Sequence, residues 1–306
     1  MNGGRGAWVR IGVLALLWGS GFLWIKLALT GLSPVHLTLI RCALGASTLL
    51  VLAIAGRQRL PRDRATWGRL LVAAFFCNAV PFALFGIAER TVDSGVAGVM
   101  NATTPLWSVL IGAALGTERR LGAARILGLV LGFAGILVIF APWQQSGLLS
   151  AGALSLLGAA LSYAIAFAYM ARKLPPDGAP MALSAAQLMT ATALTAVALP
   201  LAGPAPELNL TAVLAVTILG VFGTGVTFYL NYRVLTDEGP TAAATVGYLL
   251  PVVSVALGAL VLGEPLSPRI VGGMVIVLAA VALTRWKAQA PTKCSTTAPA
   301  SPAVPK

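Results

Sequence analysis

Long apolar runs that follow one another almost without interruption most limit what this chain can fold into. About 20 consecutive apolar residues are enough to cross the hydrocarbon core of a bilayer as a helix, and a helix satisfies every backbone hydrogen bond within such a run. The 306 residues are 58% hydrophobic and only 10% charged, whereas soluble domains carry roughly 25% charged residues. The sequence therefore predicts an all-α integral membrane protein.

Ten of these runs are long enough to be transmembrane helices. They lie at residues 9–29, 34–55, 69–88, 95–115, 122–141, 148–170, 181–201, 211–233, 241–262 and 269–286. The first run is long, carries Lys26 and has no small-residue cleavage site, so we interpret it as a span and not as a signal peptide. Residues 287–306 contain four prolines among Ala, Ser and Thr, a composition that predicts a disordered tail.

The net charge of +12 indicates orientation. The basic residues separate apolar runs instead of forming a stripe on a soluble domain, which argues against nucleic acid as a partner. Most of them fall on one side of the predicted membrane, and positive flanks stay in the cytoplasm. Both termini are therefore expected to be cytoplasmic in a multi-pass protein of the plasma or inner membrane.

A shift of 146 residues brings the two halves of the chain into register. The matched pairs are Gly12 and Gly158, Lys26 and Arg172, Phe76 and Phe222, Phe82 and Phe228, Pro105 and Pro251, Ser108 and Ser254, and Glu118 and Glu264. Proline is unusual within a span and glutamate is rare in this chain, yet both recur 13 residues apart in each half. The match predicts an internal duplication.

The duplication divides the chain into repeats at residues 1–146 and 147–286, followed by the cytoplasmic tail at 287–306. Each repeat contains five predicted spans, so the second enters the membrane from the opposite face. The predicted architecture is therefore ten transmembrane helices arranged as two inverted five-helix repeats, which is typical of secondary transporters.

Several of these elements together carry a family resemblance. The segment Trp18–Phe22 followed by Lys26, Arg41 in the second span, and the two proline-to-glutamate segments resemble the drug/metabolite transporter superfamily, and within it the ten-helix EamA-type transporters. The resemblance implies a polytopic carrier of the kind that often moves amino acids or other metabolites outward. The second repeat lacks the Trp-Gly-Ser element and has Leu161–Ala164 there, so the site is expected to be asymmetric.

Polar and aromatic side chains within the spans are the candidate site residues. The predicted substrate-binding residues are Trp18, Ser20, Lys26, Asn78, Asn101, Thr104, Trp107, Tyr163, Thr224, Phe228, Asn231 and Tyr248; the predicted structural residues are Arg41, Pro105, Glu118, Pro251 and Glu264. Intramembrane charge is unfavourable and often functional, so Lys26 either attracts an anionic substrate group or locks helix packing. Glu118 and Glu264 are expected to cap helix ends or to pair with a neighbouring arginine.

Two spans have a specific polar pattern. Asn101, Thr104 and Ser108 fall on one helical stripe, next to Pro105, which frees a backbone carbonyl. In the third span, Phe75, Asn78, Phe82, Phe85 and Glu89 share such a stripe, and Pro81 predicts a helix break beside Asn78. The pattern indicates the walls of a central pathway.

The acidic residues are as informative as the polar ones. All nine lie at predicted span ends or in loops, so the sequence offers no evident proton-coupling group. We therefore predict a carrier, by alternating access, of neutral, zwitterionic or anionic metabolites. The family resemblance implies an exporter of amino acids or related zwitterionic or anionic compounds. The alternatives are a drug or toxic-compound efflux carrier and, more distantly, a membrane enzyme or a structural membrane protein.

Other classes of protein lack support. An enzyme needs clustered catalytic groups, whereas the chain has one histidine, at the start of a span. The three cysteines show neither a disulfide framework nor metal-ligand spacing, so no metal or other cofactor is expected. The expected partners are a small-molecule substrate and the lipid bilayer, and the protein is expected to be a monomer or a weak homodimer.

Overall fold

The computed structural model describes residues 3–116, 122–141, 150–174, 179–237 and 240–286, which contain helices and no β-strand. The α-helices are α1 (Gly3–Gly19), α2 (Gly21–Ala28), α3 (Pro34–Ala55), α4 (Arg64–Ala74), α5 (Val80–Ala88), α6 (Ser94–Asn101), α7 (Thr104–Ala114), α8 (Ala123–Phe140), α9 (Ala151–Lys173), α10 (Pro180–Val197), α11 (Leu210–Gly220), α12 (Thr227–Asp237), α13 (Pro240–Leu262) and α14 (Pro268–Trp286). Glu118 and the predicted tail at 287–306 lie outside the described residues.

Seven helical segments are long and apolar enough to cross a membrane. They are Trp8–Ala28, Pro34–Ala55, Arg64–Ala88, Ser94–Ala114, Ala151–Lys173, Pro180–Val197 and Leu210–Asp237, and three shorter apolar helices lie at Ile126–Phe140, Val246–Leu262 and Pro268–Leu283. Each falls where the sequence predicts an apolar span, and the bounds differ by only a few residues. The chain is therefore a multi-pass, all-α membrane protein.

Proline shapes the joint between α6 and α7. Pro105 has no N–H, so the carbonyl of Asn101, four residues earlier, loses its usual helical donor. The hydroxyl of Thr104 donates to that carbonyl at 2.8 Å. The pairing lets the chain turn at Ala102–Thr103 without leaving the carbonyl unsatisfied.

Two stretches of π-helix interrupt otherwise α-helical segments. They lie at Phe75–Ala79 and Val221–Val226, positions related by the same 146-residue shift as the sequence repeat. The predicted break beside Asn78 is wrong, because the chain stays helical through the first stretch into α5. In the second stretch, Thr224 donates to the carbonyl of Leu219, five residues earlier, at 2.9 Å, which fits the wider turn of a π-helix.

Polar contacts join helices at the two ends of the bundle. At the first, the Arg10 end, Asp237 accepts from Arg10 at 3.2 Å and from Arg233 at 2.9 Å. At the other, the Lys26 end, Lys26 Nζ donates to the carbonyls of Glu89 at 2.6 Å and Val92 at 2.9 Å. Both sets of contacts tie together segments that are far apart in sequence.

Glu264 makes a second contact at the Lys26 end. Its carboxylate accepts from the backbone N–H of Ser94 at 2.7 Å and of Gly95 at 3.0 Å. These donors belong to the first turn of α6, whose N–H groups have no partner within the helix. The contact holds the start of α6 against the end of α13.

The halves of the fourth span pack on different neighbours. Helix α6 packs mainly against α13, whereas α7 packs mainly against α9. Since α7 turns away from α13 beyond the Ala102–Thr103 joint, a gap opens between α7 and α9 on one side and α12 and α13 on the other. The candidate site lies in this gap.

Loss of the N-terminal cap of α11 is expected to be measurable. The side chain of Asn209 accepts from the N–H of Ala212 at 2.7 Å and donates to the carbonyl of Thr30 at 3.3 Å. Asn209→Ala is expected to lower the free energy of unfolding by about 1 kcal/mol, seen as a lower thermal transition in detergent. Asn209→Asp keeps the cap on Ala212 but loses the donor to Thr30, so it should fall between Asn209→Ala and wild type; equal stability of Asn209→Ala and wild type would contradict the assignment.

Candidate functional site

A cavity of about 450 Å³ occupies the gap between α7, α9, α12 and α13. Its lining residues are Trp18, Asn101, Ala102, Thr104, Pro105, Ser108, Tyr163, Phe167, Asn231, Gly247, Tyr248, Leu250 and Val281. Six of the predicted substrate-binding residues are among them: Trp18, Asn101, Thr104, Tyr163, Asn231 and Tyr248. The volume suits a small metabolite.

One wall of the cavity is the polar stripe at the α6–α7 joint. Asn101, Thr104 and Ser108 follow one another at helical spacing and all line the cavity. The hydroxyl of Thr104 donates to the carbonyl of Asn101 at the end of α6, and that of Ser108 donates to the carbonyl of Thr104. Their oxygens can still accept from a ligand, since a hydroxyl both donates and accepts.

The opposite wall is provided mainly by α12 and α13. Asn231 contributes an amide, which both donates and accepts. Pro251 lies inside α13 and has no N–H to donate to the carbonyl of Gly247, four residues earlier. Because Gly247 lines the cavity, that carbonyl is a candidate acceptor for a ligand N–H or ammonium group.

A row of aromatic rings closes the cavity on the side of the Lys26 end. Phe167 and Tyr163 stack at 5.9 Å, Tyr163 meets Phe85 at 6.2 Å, and Phe85 meets Phe22 edge to face at 5.4 Å. Phe22 and Phe85 are buried in the main hydrophobic cluster. The row therefore separates the cavity from the Lys26 end.

The cavity has polar groups but no net charge among its described lining residues. Amides, hydroxyls and a backbone carbonyl alternate with aromatic and aliphatic side chains. Such a lining can hydrogen-bond both the ammonium and the carboxylate of a zwitterion, whereas an isolated charge would find no compensating ion here. The electrostatics favour a ligand without net charge.

The other six predicted binding residues lie outside the lining: Ser20, Lys26, Asn78, Trp107, Thr224 and Phe228. The hydroxyl of Ser20 donates to the carbonyl of Leu17 and accepts from Trp24. Lys26 is engaged with two carbonyls at its end of the bundle. Both side chains thus make contacts within or between helices.

Asn78 and Thr224 lie within the two π-helical stretches. The fully buried side chain of Asn78 accepts from Gln187 at 2.6 Å. Thr224, also fully buried, accepts from Arg41 Nε at 2.9 Å. The side-chain oxygens of both residues are used in contacts between helices, while the amide nitrogen of Asn78 is buried without a hydrogen-bond partner among the described residues.

The two remaining aromatic residues pack against other helices. Trp107 meets Phe133 of α8 edge to face at 5.3 Å. Phe228 packs against the hydrophobic cluster that joins α3 and α10. Neither ring reaches the cavity.

Of the predicted structural residues that the structure describes, only Pro105 lines the cavity. Arg41 is buried with its guanidinium 3.7 Å from the ring centre of Phe82. Glu264 caps α6, and Pro251 lies inside α13. Pro105, in contrast, is part of the cavity wall.

Sequence reasoning missed Phe167, Gly247 and the environment of Glu89. Phe167 is one helical turn from Tyr163, a spacing that could have identified it. Glu89 lies at a helix end, as predicted, but it is 0% exposed and neither carboxylate oxygen has a hydrogen-bond partner among the described residues. Its position on the stripe with Phe85 was the available signal.

A second cavity, of about 570 Å³, lies at the Lys26 end. It is formed mainly by the connecting segments 29–35 and 201–207, together with Arg90. None of the predicted binding residues lines it. The cavity between the helices is therefore the better candidate site.

Comparison with known proteins points to one family. A model of the EamA-like transporter family matches residues 8–141 and 150–286. The chain is 28% identical over 263 residues to YdfC, an uncharacterised transporter of Bacillus subtilis, with 85% of each chain covered. It is also 28% identical over 284 residues to YedA, an uncharacterised inner membrane transporter of Escherichia coli, covering 92% of this chain and 91% of that protein.

A solved structure shares the fold. The chain superimposes on a crystal structure with a TM-score of 0.65 at 21% identity, covering 93% of this chain and 98% of the other. At that identity the likeness concerns the fold alone.

Proposed function

Because the chain belongs to the EamA-like transporter family, we propose that it is a secondary transporter that exports amino acids or related compounds without net charge. The observation that carries the proposal is the uncharged lining of the cavity, in which Asn101, Thr104 and Asn231 provide hydrogen-bonding groups beside aromatic rings. A zwitterion needs donors and acceptors for its two ends, and this wall supplies both. Compounds with a net negative charge fit the described lining less well.

The proposed topology has ten spans in two inverted repeats. The three shorter apolar helices would complete the five spans of each half, and the two π-helical stretches, 146 residues apart, support a common origin of the halves. With the basic flanks in the cytoplasm, the Arg10 end and both termini are cytoplasmic and the Lys26 end faces outward.

The proposed mechanism is alternating access. Most of the cavity lies toward the Arg10 end, along α7, the second half of α9 and the first half of α13. The aromatic row and the contacts of Lys26 and Glu264 close the Lys26 end. The arrangement fits a carrier that loads substrate from the cytoplasm before its outer end opens.

Efflux of drugs is the alternative within the same class. A cationic drug would require a carboxylate to compensate its charge, and the described lining of the cavity contains none. Amino acids are therefore the better candidates. The family and the relatives named as transporters likewise favour transport over catalysis or a purely structural role.

Uptake of labelled neutral amino acids into everted membrane vesicles tests the proposal. Asn101→Leu is expected to lower the initial rate of uptake at least tenfold, because it removes an amide from the cavity wall without altering a contact between helices. The matched control is Thr217→Leu, at an exposed threonine that bonds only within its own helix. Transport by wild type that Asn101→Leu leaves unchanged would refute this assignment of the site.

A further inference from the structure

The carboxyl group of Glu89 is the most unusual polar group in the described part of the chain. Its side chain is fully buried, and neither of its oxygens has a hydrogen-bond partner among the described residues. It follows directly on α5, one helical turn after Phe85. No role in the substrate cavity accounts for it, since Glu89 does not line that cavity.

The two nearest cations are engaged elsewhere. Lys26 Nζ donates to the backbone carbonyls of Glu89 and Val92, and not to the carboxylate. Arg41 donates from Nε to Thr224 and lies over the ring of Phe82. Glu89 therefore has basic groups in its surroundings but no ion pair among the described residues.

The position of the carboxyl also disfavours negative charge. It lies at the carbonyl end of α5, where the helix dipole is negative. An ionised carboxylate without a donor is strongly unfavourable in apolar surroundings. Both arguments place a proton on Glu89 in the conformation described.

The charged groups around Glu89 act in both directions. They are Lys26 on α2, Arg41 on α3 and Glu264 after α13, and Asp93 before α6 is close to both Lys26 and Glu264. The positive groups favour the carboxylate and the acidic groups oppose it. This balance allows a modest rearrangement to change which form is preferred.

We propose that Glu89 is a proton-binding site, which takes up a proton when the Lys26 end closes and releases it when that end opens. The inference rests on the proposed transport function. Opening the Lys26 end requires Lys26 to leave the carbonyls of Glu89 and Val92, which admits water to the carboxyl and frees a cation beside it. Closure removes the water and requires the proton to return.

The aromatic row connects this site with the substrate cavity. Phe85 and Glu89 lie on the same face of α5, and Phe85 contacts Tyr163, which lines the cavity. Tyr163 carries the one hydroxyl in the row. Rearrangement of these rings during transport would therefore act on both sites, so that the proton at Glu89 couples to passage of the substrate.

The first test detects the proton directly. Infrared spectra of the full-length protein in lipid nanodiscs at pH 7 are expected to show the carbonyl stretching band of a protonated carboxylic acid. Glu89→Gln should remove the band, and Glu207→Gln, at an exposed glutamate, should retain it. A wild type without the band, or a band that survives Glu89→Gln, overturns the inference.

The second test measures coupling, using proteoliposomes and a mixture of labelled neutral amino acids. At equal pH on both sides, the rate of exchange by wild type is expected to fall at least tenfold as the pH is raised, because a deprotonated Glu89 opposes closure of the Lys26 end. Glu89→Gln should still exchange labelled for unlabelled amino acids, which shows that it is folded, but its rate of exchange should not depend on pH in this way; Glu89→Asp should keep part of the dependence.

The two proposals fail in different ways. If exchange by Glu89→Gln depends on pH as exchange by wild type does, the inference about Glu89 is overturned and the transport function stands. If wild type moves no amino acid, the proposed function and the coupling both fail, and the infrared band alone decides whether Glu89 binds a proton.

Discussion

A side chain at Gly98 is expected to force helices α6 and α13 apart and to lower the free energy of unfolding by about 3 kcal/mol, the upper end of the usual range for overpacked cores. A β-carbon at this position would overlap the hydroxyl of Ser254 and lie 2.5 Å from its β-carbon. Both residues are buried between the helices. Gly98→Ala should therefore reduce the yield of folded protein and its thermal stability in detergent.

Two further variants make this test specific. Ser254→Gly removes both overlapping atoms, so Gly98→Ala combined with Ser254→Gly should recover much of the lost stability. Gly12→Ala is the matched control, because a β-carbon there meets nothing within 4 Å, and it should be neutral or slightly stabilising. If Gly98→Ala and Gly12→Ala were equally stable, α6 and α13 would be packed less closely at Gly98 than the distances to Ser254 require, and the prediction would be wrong.

Loss of the Arg41 side chain is expected to have a similarly large effect. Arg41→Ala removes a buried stacking contact with Phe82, worth about 2 kcal/mol when desolvated, and the hydrogen bond to Thr224, worth about 1 kcal/mol. We expect a loss of about 3 kcal/mol in unfolding free energy. Denaturation of the purified protein, followed by tryptophan fluorescence, measures it.

The control for Arg41 is an arginine on the surface. Arg172→Ala, at an exposed position, should change stability by less than about 0.5 kcal/mol. Arg41→Lys should fall between wild type and Arg41→Ala, because lysine keeps the charge but lacks the planar guanidinium. A double-mutant cycle with Phe82→Leu that gives no coupling energy would rule out the stacking contribution.

The positions of the apolar helices were predictable because membrane insertion depends on local composition. Pro34–Ala55 matches its predicted span at both ends, with Ser33 as cap and Pro34 as first residue. The polar stripe of Asn101, Thr104 and Ser108 was predictable for the same reason, since helical periodicity is written in the sequence. Its place in the cavity wall follows from the turn at Pro105.

Features that depend on neighbouring segments were not predictable in this way. Lys26, Asn78 and Thr224 are polar residues within spans, and the sequence cannot distinguish a polar group that faces a cavity from one that bonds to another helix. The structure gives all three partners on other helices or loops. The burial of Glu89 likewise arises from the helices that pack around it.

The two π-helical stretches also determine which way the rest of their helices faces. An α-helix advances by about 100° per residue, so the additional residue accommodated by each widened turn rotates everything downstream relative to an uninterrupted helix. After Phe75–Ala79 this rotation determines which way Phe85 and Glu89 face. After Val221–Val226 it determines which way Asn231 faces. A single-residue deletion within either stretch would restore an α-helical turn and leave these side chains facing as they do, whereas a deletion just after the stretch would turn them by about 100° toward other neighbours.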